Sequence, residues 1–351
     1  MFGTYDPADV TVLLKDITGL VQPLGTKERE EKIQSGVHYS EMLPIEYKPS
    51  DKYMLAYEDA LTRYSLITAK AVASLAEQIW TEKGCSATLV SLARAGTSIG
   101  VLLKRYIRWK YGAEISHYTV SIIRGRGIDQ NAMNYILERH APESIQFVDG
   151  WTGKGAIQRE LKNAVTCFPG VDPGLAVLSD PARIAGKCGT HDDFLIASSC
   201  LNSTVSGLLS RTFLRSDIIG KNDFHGAAFY KELEGQDITY QFIGAIEKHF
   251  EDTLHLPQQE PVVSYKTAKQ EVEEICQRYR IHDVNLVKPS IGECTRVLLR
   301  RIPWKVLVHS LTDEGHLGHI YQLAREKNVE LVEYPLENYR ACGLIKELAD
   351  N

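Results

Sequence analysis

One stretch of the chain, residues 144–158 (SIQFVDGWTGKGAIQ), constrains the fold more than any other part of the sequence. Strand-forming residues at 145–148 lead into a single acid, Asp149, and apolar residues then recur every four positions from Ile157. Between these two patterns lie three glycines, Gly150, Gly153 and Gly155. A strand, a glycine-rich turn and a helix start in this order can bind an anion, because backbone N–H groups and the helix N-terminus point to one place. The stretch therefore predicts an α/β fold with an anion-binding loop.

Two similar turns follow predicted strands upstream of this stretch. After the strand at 87–93 come a cation and four small residues, which open a helix: Arg94, Ala95, Gly96, Thr97 and Ser98. The strand at 117–123 leads into a basic turn that contains Arg124 and Arg126. Repeated strand–turn–helix units predict a parallel sheet with right-handed crossovers. Because ligands bind at the carboxyl ends of strands in such sheets, we expect all three turns to lie at one edge.

Length and composition are those of a globular protein with two domains. The chain has 351 residues, 44% of them hydrophobic, and a net charge of −5, which gives no global attraction to nucleic acid or membranes. We expect a first domain over 1–255, with an irregular arm over 1–50, and a second over 264–351, joined by a linker near 255–264. Seven scattered cysteines without a C-x-x-C pair predict a reducing, cytoplasmic location. No apolar run reaches membrane-spanning length, so no membrane contact is predicted.

The turn from Asp149 to Gly155 resembles the phosphoribosyl pyrophosphate (PRPP) loop of type I phosphoribosyltransferases, and Arg94–Ser98 resembles their pyrophosphate loop. The resemblance implies a phosphoribosyltransferase-like domain. Such a pentosyltransferase moves phosphoribosyl from PRPP to a base-like acceptor and releases pyrophosphate, with Mg²⁺ as cofactor. The implied catalytic residues are Asp149 (which also holds Mg²⁺ indirectly), Arg94, Arg124 and Arg126. The implied PRPP-binding residues are Ala95, Gly96, Thr97, Ser98, Gly150, Thr152, Gly153, Lys154 and Gly155. The sequence departs from the family at Gly150, where a second acid is usual.

The last 90 or so residues read as alternating short helices and strands, which predicts a small α/β/α sandwich that ends in a helix over 336–348. The turn from Ser290 to Arg296 resembles the start of the RNA-contacting helix in the Pelota and kink-turn-binding family. The resemblance implies RNA binding through Gly292, Glu293, Thr295, Arg296 and Arg300. The sequence departs from that family at Ser290, where a glycine is usual, and at Gly292, where an asparagine is usual.

Cys188 and His191, followed by two aspartates, support a different interpretation, a cysteine hydrolase with Cys188 as the nucleophile and His191 as its base. Most of the chain is similar to proteins of bacterial tellurite-resistance (Ter) stress operons, among them a StiP-like family that some descriptions call cysteine proteases. Three functions stay open: a phosphoribosyltransferase in a stress-response nucleoside pathway, a cysteine protease or hydrolase, and a non-catalytic nucleotide sensor that binds RNA. The sequence also leaves a homodimer open.

Overall fold

The structure is a computed structural model that describes residues 2–254 and 266–345. The predicted linker at 255–264 lies outside the described residues. Among the helices that the structure describes, none is long and apolar enough to cross a membrane.

The N-terminal part, up to residue 254, contains ten strands and six α-helices among its described residues. The strands are β1 (Thr11–Val12), β2 (Lys15–Asp16), β3 (Thr88–Leu92), β4 (Ser116–Val120), β5 (Ile122–Ile123), β6 (Gly127–Ile128), β7 (Ile145–Trp151), β8 (Leu175–Ser179), β9 (Lys187–Thr190) and β10 (Gly226–Ala227). The helices are α1 (Thr26–Gln34), α2 (Asp51–Lys83), α3 (Ala95–Tyr111), α4 (Gln130–Leu137), α5 (Ala156–Ala164) and α6 (Thr239–Glu247).

Six of these strands form the central sheet, in the order β1-β4-β3-β7-β8-β9, and every pairing in it is parallel. Helices cover both faces: Val148 packs in a cluster with residues of α2, α3 and α6, whereas its neighbour Phe147 packs with residues of α4 and α5. Burial on both faces is the reason why these strands are almost continuously apolar. The predicted α/β fold with a mostly parallel sheet is confirmed, while the phosphoribosyltransferase-like form of that fold stays a prediction.

The C-terminal part, residues 266–345, packs three helices on a mixed sheet of four strands in the order β11-β14-β12-β13. Its elements are α7 (Ala268–Tyr279), β11 (Val287–Pro289), α8 (Ile291–Arg300), β12 (Pro303–Val308), α9 (Glu314–Glu326), β13 (Glu330–Glu333) and β14 (Ala341–Ile345). The helix predicted over 336–348 is wrong at 341–345, because this segment pairs antiparallel with both β11 and β12 and buries most of its residues. Positions 346–348 lie beyond the described residues.

The two parts of the chain are in direct contact. The buried carboxylate of Asp193 accepts hydrogen bonds from the N–H of Ile291, 3.0 Å from each oxygen, and from the N–H of Arg340 at 2.9 Å. On α2, the hydroxyl of Tyr53 donates to the carbonyl oxygen of Leu299 at 2.7 Å. The bonds to Asp193 hold the start of α8 against the carboxyl edge of the central sheet, and the Tyr53 bond holds the end of α8 against α2.

Candidate functional site

Four turns lie along the carboxyl edge of the central sheet, because the strands that precede them are parallel neighbours. They follow β3, β7, β8 and β9. Side chains of the last three turns are linked: the Thr152 hydroxyl donates to the carboxylate of Asp180, and Nδ1 of His191 lies 2.8 Å from the carbonyl oxygen of Asp180. The expected convergence of strand ends is therefore present, and it includes Asp180, whose role the sequence did not indicate.

A cavity of about 1040 Å³ lies between the turn after β7 and the C-terminal part. One wall comes from 149–159 together with Ala95 and Arg124, and the other from α7, the region 281–289 and α8. The predicted site residues on these walls are Ala95, Arg124, Asp149, Thr152, Gly153, Lys154, Gly155, Glu293 and Arg296. Two aromatic residues that sequence reasoning missed, Trp151 and Tyr339, also line the cavity. Only the contact between the two parts of the chain reveals them.

Asp149 lies on the cavity wall with its carboxylate oxygen Oδ1 2.8 Å from the N–H of Gly150. Burial raises the pKa of this carboxyl to about 6, although the N–H bond and the positive charge of Arg296 oppose the shift. The other carboxylates on the walls are those of Glu273 and Glu293. Among the described residues no group of three close metal-binding side chains includes Asp149. The Mg²⁺ site expected at Asp149 stays a prediction.

The turn after β3 is closed, in the sense that its polar side chains are bonded to surrounding protein groups rather than exposed to the cavity. Arg94 donates from Nη1 to the carbonyl oxygen of Leu209 at 2.8 Å. The hydroxyl of Thr97 lies 2.7 Å from that of Thr119, and the hydroxyl of Ser98 lies 2.9 Å from that of Tyr5. Thr97 and Ser98 are both buried. Of the five residues predicted in this turn, only Ala95 lines the cavity.

The basic turn after β5 sends its two arginines in different directions. Arg124 lines the cavity, and its Nη2 donates to the Asn285 side chain at 3.3 Å. Arg126 instead forms an ion pair with Glu41 in the N-terminal arm. The structure therefore separates two residues that the sequence placed in one loop over the site.

The RNA-contacting helix predicted from the sequence is α8, and most of its predicted contacts face protein. Gly292 packs on Trp151, since a Cβ atom at this glycine would lie 3.5 Å from the indole ring. Thr295 is buried, and its hydroxyl lies 2.8 Å from the Ile291 carbonyl oxygen and 3.0 Å from Nε2 of His319. Glu293 and Arg296 line the cavity. The side chain of Arg300 is outside what the structure describes.

Ser290 explains one departure from the family pattern. Its φ angle is 88°, in the left-handed region that glycine adopts easily and other residues rarely do. The serine hydroxyl accepts a hydrogen bond from the N–H of Glu293 at 3.3 Å and so caps α8. The serine thus adopts the backbone conformation that suits the family's glycine, and its hydroxyl adds a hydrogen bond that stabilises the start of α8.

Cys188 lies in the edge strand β9, half-buried, with its Sγ atom 3.7 Å from both ring nitrogens of His191. Because the Asp180 carbonyl can only accept, Nδ1 of His191 carries the proton and Nε2 is the free acceptor of the neutral ring. A sulfur equidistant from both nitrogens is not in line with the lone pair of either. Burial, reinforced by the charge of Asp180, raises the pKa of the Cys188 thiol to about 11.

The Asp180 carboxylate stabilises the loop around this pair, accepting hydrogen bonds from the N–H groups of Ile184 at 2.7 Å and Ala185 at 2.8 Å as well as from Thr152. Donor atoms of Asp180, Cys188 and His191 all lie within 4.8 Å of one another. In the described part of the chain, this is the one group of three metal-binding side chains so close together. The arrangement can support nucleophilic catalysis by the thiol with the imidazole as base.

Among the described residues, no other cysteine has both partial exposure to solvent and a histidine nitrogen in hydrogen-bonding contact with its sulfur. Cys85 and Cys167 are exposed, whereas Cys200, Cys294 and Cys342 are buried. Cys276 is half-buried and lines the cavity, so it is the natural control for Cys188.

Comparisons with known proteins bear on both parts of the chain. The family model described as tellurite-like stress resistance cysteine protease StiP matches residues 3–247. The model of the PELOTA RNA binding domain matches residues 266–347. A protein of Acinetobacter baylyi named "Cysteine protease StiP" is 38% identical over 368 aligned positions, which cover 99% of this chain and 94% of the relative.

These findings overturn the first function expected from the sequence. Phosphoribosyl transfer from PRPP to a base, and with it a pentosyltransferase, is wrong: the relative matched over almost its whole length is named a cysteine protease. The closed turn after β3 is consistent with this correction, because its hydroxyls and Arg94 are already bonded within the protein. The predicted similarity to StiP and to the Pelota domain is confirmed. The chain belongs to the StiP family of tellurite-like stress resistance cysteine proteases and carries a Pelota RNA-binding domain at residues 266–347.

Proposed function

We propose that the protein is a cysteine hydrolase that cleaves peptide bonds, with Cys188 as the nucleophile and His191 as the general base. The observation that carries the proposal is the distance of 3.7 Å between the Cys188 sulfur and the His191 ring nitrogens. The name of the relative from Acinetobacter baylyi supports the reaction class. The hydrogen bond from Nδ1 of His191 to the Asp180 carbonyl supports the role of base, because it leaves Nε2 free to accept a proton.

In this mechanism the imidazole turns so that Nε2 faces the thiol and takes its proton as the sulfur attacks the substrate carbonyl carbon. The proton then passes to the leaving amine, and a thioester remains on Cys188 until water, deprotonated by His191, hydrolyses it. With the pKa of Cys188 at about 11, the thiol is uncharged at neutral pH. The proton is therefore removed during the attack, in contrast to enzymes in which a preformed thiolate–imidazolium pair waits for substrate.

The test compares two half-buried cysteines in the purified full-length protein. Cys188→Ser should lower peptide hydrolysis by about 10³-fold or more, and His191→Ala should have a similar effect, because residues of one catalytic unit depend on each other. Cys276→Ser, the matched control, should keep its activity. Mass spectrometry after treatment with a thiol-directed peptide inhibitor should locate the adduct on Cys188. Loss of activity in Cys276→Ser with Cys188→Ser unaffected would overturn the assignment.

The C-terminal part supports a second function, the binding of RNA. Its match to the PELOTA RNA binding domain is the basis, and the position of Arg296 on the cavity wall gives this function a cation within reach of a phosphate. Binding that depends on phosphate contacts weakens as salt increases. Fluorescence anisotropy of labelled RNA with the full chain should therefore show an affinity that falls between low and high salt. The absence of binding even at low salt would contradict this function.

A further inference from the structure

The surface that should contact RNA does not face open solvent. Gly292 is covered by Trp151 of the N-terminal part, and Thr295 is buried within the C-terminal part. Of the predicted RNA-contacting side chains that the structure describes, those of Glu293 and Arg296 are the ones on the cavity wall. An RNA that reaches Arg296 in this arrangement must enter the cavity between the two parts of the chain.

The cavity carries an excess of positive charge. Two of its cations are neutralised locally, since Lys269 lies 3.6 Å from Glu273 and Arg296 lies 3.4 Å from Glu293. Four further cations on the walls make no ion pair with any carboxylate among the described residues: Arg124, Lys154, Arg159 and Lys288. Asp149 is the one wall carboxylate outside those two pairs in the same part of the chain. Three of the four cations belong to the N-terminal part and one to the C-terminal part, so the excess charge spans both walls.

Lys154 lies close enough to Lys288 for the two positive charges to repel each other. Its Nζ atom donates to the carbonyl oxygens of Val284 at 2.5 Å and Val287 at 2.9 Å, across the gap between the two parts. Burial, followed by repulsion from Lys288, lowers the pKa of this ammonium to about 8. An anion bound between the two lysines would relieve the repulsion.

The walls also offer one surface for the flat face of a base. Trp151 is half-buried and lines the cavity, with the guanidinium carbon of Arg296 5.0 Å from the centre of its ring. The Tyr339 side chain is buried and supports this wall from behind, because its hydroxyl donates to the Gly153 carbonyl oxygen at 2.8 Å. Aromatic rings and arginine planes next to a positive channel are how proteins hold unpaired nucleotides. Helix α5 begins on this wall after Gly155, which has no side chain to cap it.

We infer that single-stranded RNA binds in the cavity between the two parts of the chain, with its phosphates on Arg124, Lys154, Arg159 and Lys288 and a base against Trp151. The inference rests on the proposed RNA binding and specifies where and in what form the RNA is held. A cavity of about 1040 Å³ accepts a few unpaired nucleotides but not a double helix, so the site selects strands over duplexes. Most of the RNA site then belongs to the StiP-type part rather than to the Pelota domain.

The experiment measures the binding of a fluorescein-labelled oligouridylate and of a blunt RNA duplex to the full-length protein by anisotropy over a range of salt concentrations. The decisive variant is Arg159→Ala, because Arg159 is exposed and belongs to the N-terminal part. We expect Arg159→Ala, Arg124→Ala and Arg296→Ala each to weaken oligouridylate binding about 3- to 10-fold and to reduce the salt slope by about one. Arg139→Ala, a control on a cation outside the cavity that stacks on Tyr135, should bind like the wild type. The duplex should bind more weakly than the strand.

Each alternative result has a distinct meaning. If Arg296→Ala loses affinity while Arg159→Ala and Arg124→Ala match the wild type, RNA binding stands but the shared cavity is wrong. If no RNA binds to the wild type, the RNA-binding function itself fails. If Arg159→Ala leaves RNA affinity unchanged but raises the KM for a peptide substrate, the cavity holds the peptide and the inference is overturned. Thermal unfolding of each variant confirms that the fold is intact.

Discussion

Two turns at the carboxyl edge of the central sheet have the same local pattern but opposite surroundings. The turn after β3, Arg94–Ser98, and the turn after β7, 152–155, each connect a buried strand to a helix through small residues. The first is closed, with Thr97 and Ser98 buried and bonded to the protein. The second forms a wall of the large cavity.

The difference arises from what lies opposite each turn. The N-terminal arm and the loop around 205–209 pack directly on the first turn, through Tyr5 and the carbonyl oxygens of Val205 and Leu209. The C-terminal part lies opposite the second turn and contacts it through Tyr339 and through the carbonyl oxygens bonded by Lys154, with the cavity between them. A sequence motif that can bind an anion is therefore available for that purpose only where the neighbouring chain leaves space.

The largest expected effect uses the glycines of the two turns. A Cβ atom at Gly96 would overlap the carbonyl oxygen of Val148 and lie 3.1 Å from the Cα atom of Asp149, whereas one at Gly153 would meet nothing closer than 3.7 Å. Gly96→Ala should lower the free energy of unfolding by about 2–3 kcal/mol through overpacking. Gly153→Ala, the control in the open turn, should change it by less than about 0.5 kcal/mol. Urea denaturation of both variants makes the measurement, and equal effects would contradict the contrast between a closed and an open turn.

A smaller effect is expected from hydroxyl groups that bond to the two turns. Tyr5→Phe removes the group 2.9 Å from the Ser98 hydroxyl in the closed turn, and we expect a loss of about 1.5 kcal/mol because both partners are buried. Tyr339→Phe removes the bond to Gly153 in the open turn, where water can reach the freed carbonyl, so we expect about 0.5–1 kcal/mol. Thermal unfolding compares the two variants. A larger loss in Tyr339→Phe would show that the second turn is the more tightly held.

The smallest effect is a pH dependence at the open turn. The folded-state pKa of Asp149 is raised to about 6 from its ordinary 3.8, so its stabilising contribution is complete below about pH 4 and is lost as the pH rises through 6. As the pH rises over this range, the unfolding free energy of the wild type should therefore fall by roughly 1 kcal/mol relative to that of Asp149→Asn. This is less than the full pKa shift implies, because the cavity is open to solvent. Urea denaturation at pH 4, 5, 6 and 7 tests this, and a difference that is independent of pH would contradict it.

Much of the fold was predictable because its signals are local. The apolar runs of β3, β7 and β8 and the small-residue turns after β3 and β7 predicted parallel strands, and all of these pair as parallel neighbours. The strand β14 was not predictable, because its sequence also suits a helix and only pairing with β11 and β12 makes it a strand. The wrong function had a similar cause, since the loop patterns resemble those of phosphoribosyltransferases irrespective of what packs against them.

The sequence by itself determined the class of fold, the strand-end position of Asp149, and the similarity of residues 290–296 to an RNA-contacting turn. Only the tertiary structure decided which turn is open, that Asp180 lies beside Cys188 and His191, and that the predicted RNA helix faces the StiP-type part rather than solvent. The physical reason is that strand and helix formation depend on the order of neighbouring residues. Access, charge and a thiol's pKa depend on groups that come from distant parts of the chain.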